Sequence, residues 1–198
     1  MEKEHVEIAV RAGADAIGFV FAPSKRKITI EKAHELAKVV PSGVWKIGVF
    51  VNPTIEELIT AIQQVPLDYI QYHGQETPES VQTNNLPSIK ALSVQDEVDV
   101  LRAKQYVTDY YLFDAPGSDF QGGSGTVFDW KLMEANQIPT EKIILAGGLN
   151  PDNVKEAIER VNPYMVDVSS GVERNGSKDT ELIQSFIRAV KDGGRNDG

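Results

Sequence analysis

The chain has 198 residues, a formal net charge of −9 and no cysteine. The missing cysteines exclude disulfides, thiolate metal sites and cysteine nucleophiles within these residues. The acidic charge, with Lys25-Arg26-Lys27 as the one dense basic cluster, argues against a nucleic-acid partner. No apolar run approaches the roughly 20 residues that cross a bilayer. The N-terminal segment, residues 1–5, is charged and lacks the apolar core of a signal peptide. The sequence therefore predicts a cytoplasmic protein with no membrane partner.

Short apolar runs alternate with amphipathic segments along the whole chain. Helices are predicted at residues 2–12, 29–40, 54–64, from 77, and at 94–104, 129–136, 151–161 and 179–191. Strands are predicted at residues 15–21, 45–51, 68–72, 88–92, 110–114, 142–146 and 164–168. The helix at 54–64 has Thr54 and Glu57 at capping-box spacing, and the helix from Thr77 has Pro78 at its first position.

Buried parallel strands joined by helices predict an α/β protein of the (β/α)8 barrel class. That barrel has eight strands, whereas this pattern gives seven strands and eight helices and opens on a helix. The missing member is the first strand. We expect one domain over residues 1–198 that lacks this N-terminal strand, with a frayed tail over residues 191–198.

Turns with little or no side chain follow the last two predicted strands, and a third glycine-rich segment spans residues 122–126. Such turns let main-chain N–H groups approach an anion closely, and barrel enzymes hold phosphate after their last strands. The pattern predicts a substrate that carries a phosphate. The predicted phosphate-binding residues are Gly123, Ser124, Gly125, Gly147, Gly148, Ser169 and Ser170.

Four charged or titratable residues lie at predicted strand ends, where barrel chemistry occurs. Arg26 can bind a carboxylate through two hydrogen bonds or belong to a solvated basic turn. His73 can orient a substrate or shuttle a proton, or bond to a neighbouring loop. Asp114 suits a general acid or base, or a helix cap. Asp167 is expected to face the barrel interior just below the rim, and no histidine and acid spacing predicts a metal site.

Seven segments together resemble phosphoribosylanthranilate isomerase of tryptophan biosynthesis, and the resemblance covers nearly the whole chain. They are AGADAIGFVF (12–21), SKR (24–26), GVFVN (48–52), IQYHG (70–74), GGSGT (122–126), AGGLNP (146–151) and VDVSSGVE (166–173). Each segment alone is weak, but their order and spacing are highly specific.

The resemblance implies a cofactor-free barrel enzyme, monomeric or homodimeric, with a small phosphosugar as its substrate. The family converts N-(5-phosphoribosyl)anthranilate to 1-(2-carboxyphenylamino)-1-deoxyribulose 5-phosphate by an Amadori rearrangement. By motif, Asp114 would protonate the furanose ring oxygen and Arg26 would hold the anthranilate carboxylate. His73 and Asp167 would position the substrate, and the turn amides would hold the phosphate.

This sequence departs from the family at the general base. In the family that base is a cysteine in a Lys-x-Cys-Gly motif at the end of the first strand, and this sequence has neither that strand nor any cysteine. Three explanations compete: a misassigned start codon, a truncated gene, or a seven-stranded paralogue that has lost the chemistry. We favour a missing start segment, because every other signature is intact. The 198-residue chain itself is then expected to be poorly stable and nearly inactive.

Other functions stay open at this point. An indole-glycerol-phosphate synthase needs strand-end lysines, whereas Lys90 lies inside its predicted strand. A metal-dependent sugar-phosphate epimerase needs strand-end histidines and acids, and His73 alone fits. A non-catalytic protein that binds a phosphate ligand would keep the turns and lack the base.

Overall fold

The computed structural model describes residues 1–116, 129–135 and 137–194. These residues fall into two compact units. Unit 1 comprises Met1–Ala91 and Tyr106–Asp109, and unit 2 comprises Leu92–Gln105 and Tyr110–Gly198.

Unit 1 is a run of alternating helices and parallel strands. Its strands, in sheet order, are β1 (Ala16–Val20), β2 (Trp45–Phe50), β3 (Tyr69–Tyr72) and β4 (Ser88–Ser93), the last of which begins in this unit. Its helices are α1 (Lys3–Ala12), α2 (Ile30–Ala37), α3 (Ile55–Gln64) and α4 (Pro78–Val81). Because all four strands run in the same direction, the loops that follow β1, β2 and β3 share one edge of the unit.

Two helix starts in unit 1 confirm the capping predictions. Thr54 and Glu57 form a capping box, in which the Thr54 N–H donates to Glu57 Oε2 at 2.7 Å and the Glu57 N–H donates to Thr54 Oγ1 at 3.2 Å. Thr77 accepts from the N–H of Ser80, and Pro78 is the first residue of α4. The core of the unit is apolar, with Phe19 and Ile70 fully buried in its centre.

Unit 2 repeats the alternation with shorter elements. Its helices are α5 (Glu97–Arg102), α6 (Val154–Val161) and α7 (Thr180–Gly193), with 3-10 helices at Ala103–Gln105, Trp130–Ala135, Thr140–Lys142 and Ser170–Val172. Its parallel strands are β5 (Tyr110–Asp114), β6 (Ile143–Leu145) and β7 (Met165–Val166), in that order, followed by the antiparallel pair β8 (Glu173–Arg174) and β9 (Ser177–Lys178). Tyr111 stands opposite Ile143, and Ile144 stands opposite Met165.

The described residues contain the seven predicted parallel strands but correct the predicted helix count. Seven segments are α-helical, because the helix predicted at residues 129–136 is a 3-10 helix over Trp130–Ala135. The last parallel strand is also short, since β7 ends at Val166, and α7 continues past its predicted end to Gly193. The hairpin of β8 and β9 was not predicted.

The helices of the described ranges are at most 14 residues long. None of these helices combines the length and the apolar composition that a bilayer crossing requires.

Candidate active site

Asp114 is the last residue of β5, at the carboxyl edge of unit 2. Its side chain is half-buried, while the preceding Phe113 is fully buried. The main-chain oxygen of Asp114 accepts a hydrogen bond from the N–H of Val94 at 3.0 Å. The strand therefore holds the Asp114 carboxyl where core gives way to accessible surface, which suits proton exchange with a ligand.

The turn after β6 lies directly against this strand end. A Cβ atom placed on Gly147 would come within 2.2 Å of the main-chain nitrogen of Ala115, the residue after Asp114. Gly147 also has a φ of 86°, in the region that favours glycine. Only glycine can occupy this position, and the close approach places the Gly147-Gly148 turn beside the end of β5, where Asp114 lies.

The turn after β7 also lies against the turn after β6. A Cβ atom on Gly171 would lie 1.8 Å from the main-chain oxygen of Leu149 and 3.0 Å from Asn150 Cα. Hence the carboxyl ends of β5, β6 and β7 converge through two glycine contacts. This convergence places Asp114 and both predicted phosphate turns at one edge of unit 2.

The main-chain N–H groups of these turns are candidate anion donors. Within the described part of the chain, the N–H groups of Gly147, Gly148, Ser169 and Ser170 donate no hydrogen bond. The carbonyl oxygen of Gly148, in contrast, accepts from Asn153 Nδ2 at 3.0 Å. Buried or half-buried amides normally find a partner, so this set of donors suits an anionic group such as a phosphate.

A short hairpin follows the second of these turns. Asn175 and Gly176 have φ values of 54° and 78°, the two positive values that a two-residue type I′ hairpin turn requires. Glu173 therefore stands opposite Lys178, and their side chains form an ion pair with an N–O distance of 3.2 Å. Lys178 Nζ also donates to the main-chain oxygen of Ser169 at 2.7 Å.

Asp167 lies just beyond β7. Its N–H donates to the main-chain oxygen of Leu145 at 2.8 Å, and the residue is exposed. It thus belongs to the same edge of unit 2 as Asp114. The interior orientation expected for its side chain stays a prediction.

Arg26 and His73 occupy the carboxyl edge of unit 1. Arg26 is half-buried in the loop after β1, and its N–H donates to Ser24 Oγ at 3.1 Å. His73 follows β3 directly and donates its N–H to the main-chain oxygen of Phe50 at 2.8 Å. The His73 Nδ1 atom lies 3.1 Å from Nε2 of the buried Gln71, so a neighbouring amide orients the imidazole ring.

A buried ion pair fixes the backbone around His73. Lys90 Nζ lies 2.8 Å from Glu76 Oε2, and the two side chains are 2% and 4% exposed. Lys90 also donates to the carbonyl oxygens of Tyr72 and Gly74, at 3.3 and 2.8 Å. These two residues flank His73, so Lys90 holds the chain on both sides of the imidazole.

The Glu76 carboxylate extends the same network to a second loop. It accepts from the N–H of Asn52 at 2.8 Å and from the N–H of Gly74 at 2.9 Å. Burial lowers the pKa of Lys90 from its usual value, and the nearby Glu76 carboxylate partly offsets that effect. Sequence reasoning missed this pair, although a lysine within an apolar strand requires a buried partner.

The remaining predicted phosphate residues, Gly123, Ser124 and Gly125, lie outside the described residues. In the described ranges, no group of three or more histidine, aspartate or glutamate side chains is arranged to hold a metal ion.

The sequence and the fold of this chain are similar to those of known proteins. A family model described as N-(5'phosphoribosyl)anthranilate (PRA) isomerase matches residues 1–189. The N-(5'-phosphoribosyl)anthranilate isomerase of Listeria monocytogenes serotype 4a is 52% identical over 186 residues, which are 94% of this chain and 92% of that protein.

Two solved structures of such isomerases are also similar. The phosphoribosyl anthranilate isomerase of Thermotoga maritima, a protein described as dimeric, is 37% identical with a TM-score of 0.85 over 97% of this chain and 95% of that chain. The other structure holds reduced 1-(o-carboxyphenylamino)-1-deoxyribulose 5-phosphate. It is 36% identical with a TM-score of 0.81, over 96% of this chain and 94% of that one.

The strand order and these structural similarities define a protein of the (β/α)8 barrel class, as the sequence predicts. With the family match over residues 1–189, the chain belongs to the N-(5'-phosphoribosyl)anthranilate isomerase family.

Proposed function

We propose that this chain is an N-(5'-phosphoribosyl)anthranilate isomerase of tryptophan biosynthesis. One observation carries the proposal: Asp114 and two glycine-bearing turns lie at one edge of unit 2. Gly147 approaches Ala115 and Gly171 approaches Leu149, and the N–H groups of the two turns donate no hydrogen bond to a described residue. A proton donor beside an anion cradle is the arrangement that a phosphosugar isomerisation needs.

In the proposed reaction, Asp114 and a base act in sequence. Asp114 gives its proton to the furanose ring oxygen as the bond from that oxygen to C1 breaks, and the anthranilate nitrogen lone pair forms the Schiff base. A base then removes the C2 proton to give an enolamine. The enolamine becomes the 2-ketone when the base returns its proton to C1 and the 2-hydroxyl releases the proton that restores the Asp114 acid. Atoms and electrons balance without an oxidant or reductant, and so the step needs no cofactor.

The remaining groups bind the substrate. The amides of the turns at Gly147-Gly148 and Ser169-Ser170 hold the phosphate, together with residues 123–125. Arg26 holds the anthranilate carboxylate as a bidentate guanidinium partner. His73, oriented by Gln71 and by the Lys90 network, and Asp167 position the sugar.

The base is the point at which these 198 residues differ from the family pattern, because none of them is a cysteine. We infer that the 198-residue chain alone turns over slowly, since one lost acid–base partner costs about 10²- to 10⁴-fold in rate. Within unit 1, β1 is the terminal strand of the order and pairs with β2, so an added parallel strand has an edge to join.

The test compares three proteins by product formation from N-(5-phosphoribosyl)anthranilate, followed by liquid chromatography. They are the 198-residue chain, the chain extended at its N-terminus by an apolar strand ending in Lys-x-Cys-Gly, and the same extension ending in Lys-x-Ser-Gly. The cysteine extension is expected to isomerise the substrate at least 100-fold faster than either other protein. The serine extension is the matched control, because it supplies the strand without the thiolate.

Two results would contradict these proposals separately. Turnover by the 198-residue chain equal to that of the cysteine extension would refute the impaired activity. No turnover by any of the three would refute the isomerase function. A cytoplasmic location and a monomeric or homodimeric state belong to the same proposal.

A second function has one observation in its favour. The chain keeps the two amide turns while its 198 residues hold no cysteine base, which also describes a non-catalytic protein that binds a phosphate ligand. Binding of the reduced product analogue by all three proteins, with turnover by none, would select this alternative.

A further inference from the structure

We propose that Lys178 is a positioning residue for phosphate recognition. By holding the carbonyl oxygen of Ser169, it turns the N–H group of Ser170 toward the phosphate. The inference rests on the proposed function, which places the phosphate at the Ser169-Ser170 turn.

The geometry of the peptide group carries the argument. Lys178 Nζ lies 2.7 Å from the Ser169 oxygen, and no described peptide bond is cis. In a planar trans peptide the C=O and the following N–H point in opposite directions. Fixing the Ser169 oxygen on the hairpin side therefore aims the Ser170 N–H the other way. That N–H donates no hydrogen bond to any described residue.

The lysine is itself held in place, which a flexible four-carbon side chain requires if it is to orient anything. Glu173 stands opposite Lys178 in the hairpin and pairs with its ammonium at 3.2 Å. The Lys178 and Glu173 side chains are 19% and 7% exposed, so little water competes for this contact. The Asn175-Gly176 turn sets the register that makes the two residues face each other.

The other end of the turn leaves little room for an alternative orientation. Gly171 lies so close to the Leu149 carbonyl that a Cβ atom could not be accommodated. The N–H of Val172 also reaches the Ser169 oxygen, at 3.5 Å, but this distance marks a weak bond. The short bond from Lys178 is thus the stronger of the two restraints on that carbonyl.

The experiment measures how strongly the phosphate contributes to binding by the 198-residue chain. The two probes are reduced 1-(o-carboxyphenylamino)-1-deoxyribulose 5-phosphate and the same compound without its phosphate, each titrated calorimetrically. The readout is the dissociation constant of the probe without phosphate divided by that of the phosphorylated probe. A residue that only stabilises the fold would change both constants together and leave this ratio alone.

Lys178→Met is expected to lower the ratio about tenfold, the worth of roughly one hydrogen bond to a charged group, by weakening the phosphorylated probe alone. Lys178→Arg, which keeps a cationic donor, is expected to restore most of the ratio. Lys46→Met is the matched control. Lys46 is 14% exposed and pairs with Asp68 at 2.9 Å, remote in sequence from the Ser169 turn, so its ratio is expected to equal that of the wild type.

Glu173→Gln separates positioning from simple charge attraction. The substitution removes a negative charge near the turn, so attraction alone predicts tighter binding of the phosphorylated probe. Loss of the Lys178 anchor predicts weaker binding, and we expect the weaker binding.

The outcomes distinguish this inference from the function on which it rests. A wild-type chain that binds both probes equally would refute the phosphate cradle, and the role of Lys178 with it. A wild-type chain that prefers the phosphorylated probe, with an unchanged ratio in Lys178→Met or tighter binding in Glu173→Gln, would overturn the inference and leave the proposed function standing.

Discussion

Replacing Lys90 by methionine tests the buried network that holds the His73 backbone. The substitution keeps most of the side-chain volume but removes the ammonium from a carboxylate that is 4% exposed. Breaking such a pair from one side costs about 3–5 kcal/mol, because the partner charge stays buried. Glu76 still accepts from the N–H groups of Asn52 and Gly74, so we expect the lower end, about 3 kcal/mol.

The assay is urea unfolding at pH 7, followed by circular dichroism. With a denaturant slope of about 2 kcal/mol per molar, the midpoint of Lys90→Met should fall by roughly 1.5 M. Adding Glu76→Gln removes the stranded charge, so the double variant should recover to within about 1 kcal/mol of the wild type. The control, Lys46→Met, breaks a pair whose Asp68 side chain is 42% exposed and should cost less than about 1 kcal/mol.

Two results would refute this reasoning. One is a loss in Lys90→Met no larger than that in Lys46→Met. The other is a double variant that is less stable than Lys90→Met, since the two charges would then not be coupled.

Two further predictions concern the same units. Gly171→Ala should lower the free energy of unfolding by about 3 kcal/mol or more, because its Cβ would force the main chain of Leu149 to shift. Gly18→Ala, whose Cβ would meet Val49 at an ordinary 3.7 Å, should change it by less than about 1 kcal/mol. Equal losses by urea unfolding would contradict the contact between the turns. The pKa of Lys90 is lowered in the folded chain. Between that pKa and the pKa of an unfolded lysine, about 10.4, the unfolded chain therefore binds more protons than the folded chain. The difference in unfolding free energy between wild type and Lys90→Met should therefore rise with pH in this window, and a difference that falls would show the pKa to be raised instead.

Strong local signals made much of the fold predictable from the sequence. The parallel strands are continuous apolar runs, and Thr54 with Glu57 and Thr77 with Pro78 mark helix starts by mechanisms that need no tertiary contact. The glycine turns were predicted for the same reason. Gly147 is required by a positive φ and by a close approach to Ala115, and both requirements appear in the sequence simply as glycine. That the chain folds as one domain stays a prediction.

The long-range and very short features were not predictable. Lys90 and Glu76 are 14 positions apart in the sequence. A lysine within an apolar strand indicates that it has a buried partner, but the sequence does not show which residue that partner is. The strands β8 and β9 have two residues each, too few for periodicity, although Asn175-Gly176 is a hairpin signal on its own. At Trp130–Ala135 the apolar pattern suits any helix, and it does not distinguish an α-helix from a 3-10 helix.

The roles of Asp114 and the turns are tested most directly by Asp114→Asn, measured two ways. The carboxamide keeps the size of the side chain and cannot deliver the proton. In the cysteine-extended chain we predict that turnover falls by about 10²- to 10⁴-fold, while the dissociation constant of the reduced product analogue changes less than about threefold, under roughly 1 kcal/mol. Undiminished turnover, or an affinity that collapses with it, would show that Asp114 supports the structure of the rim and is not its acid.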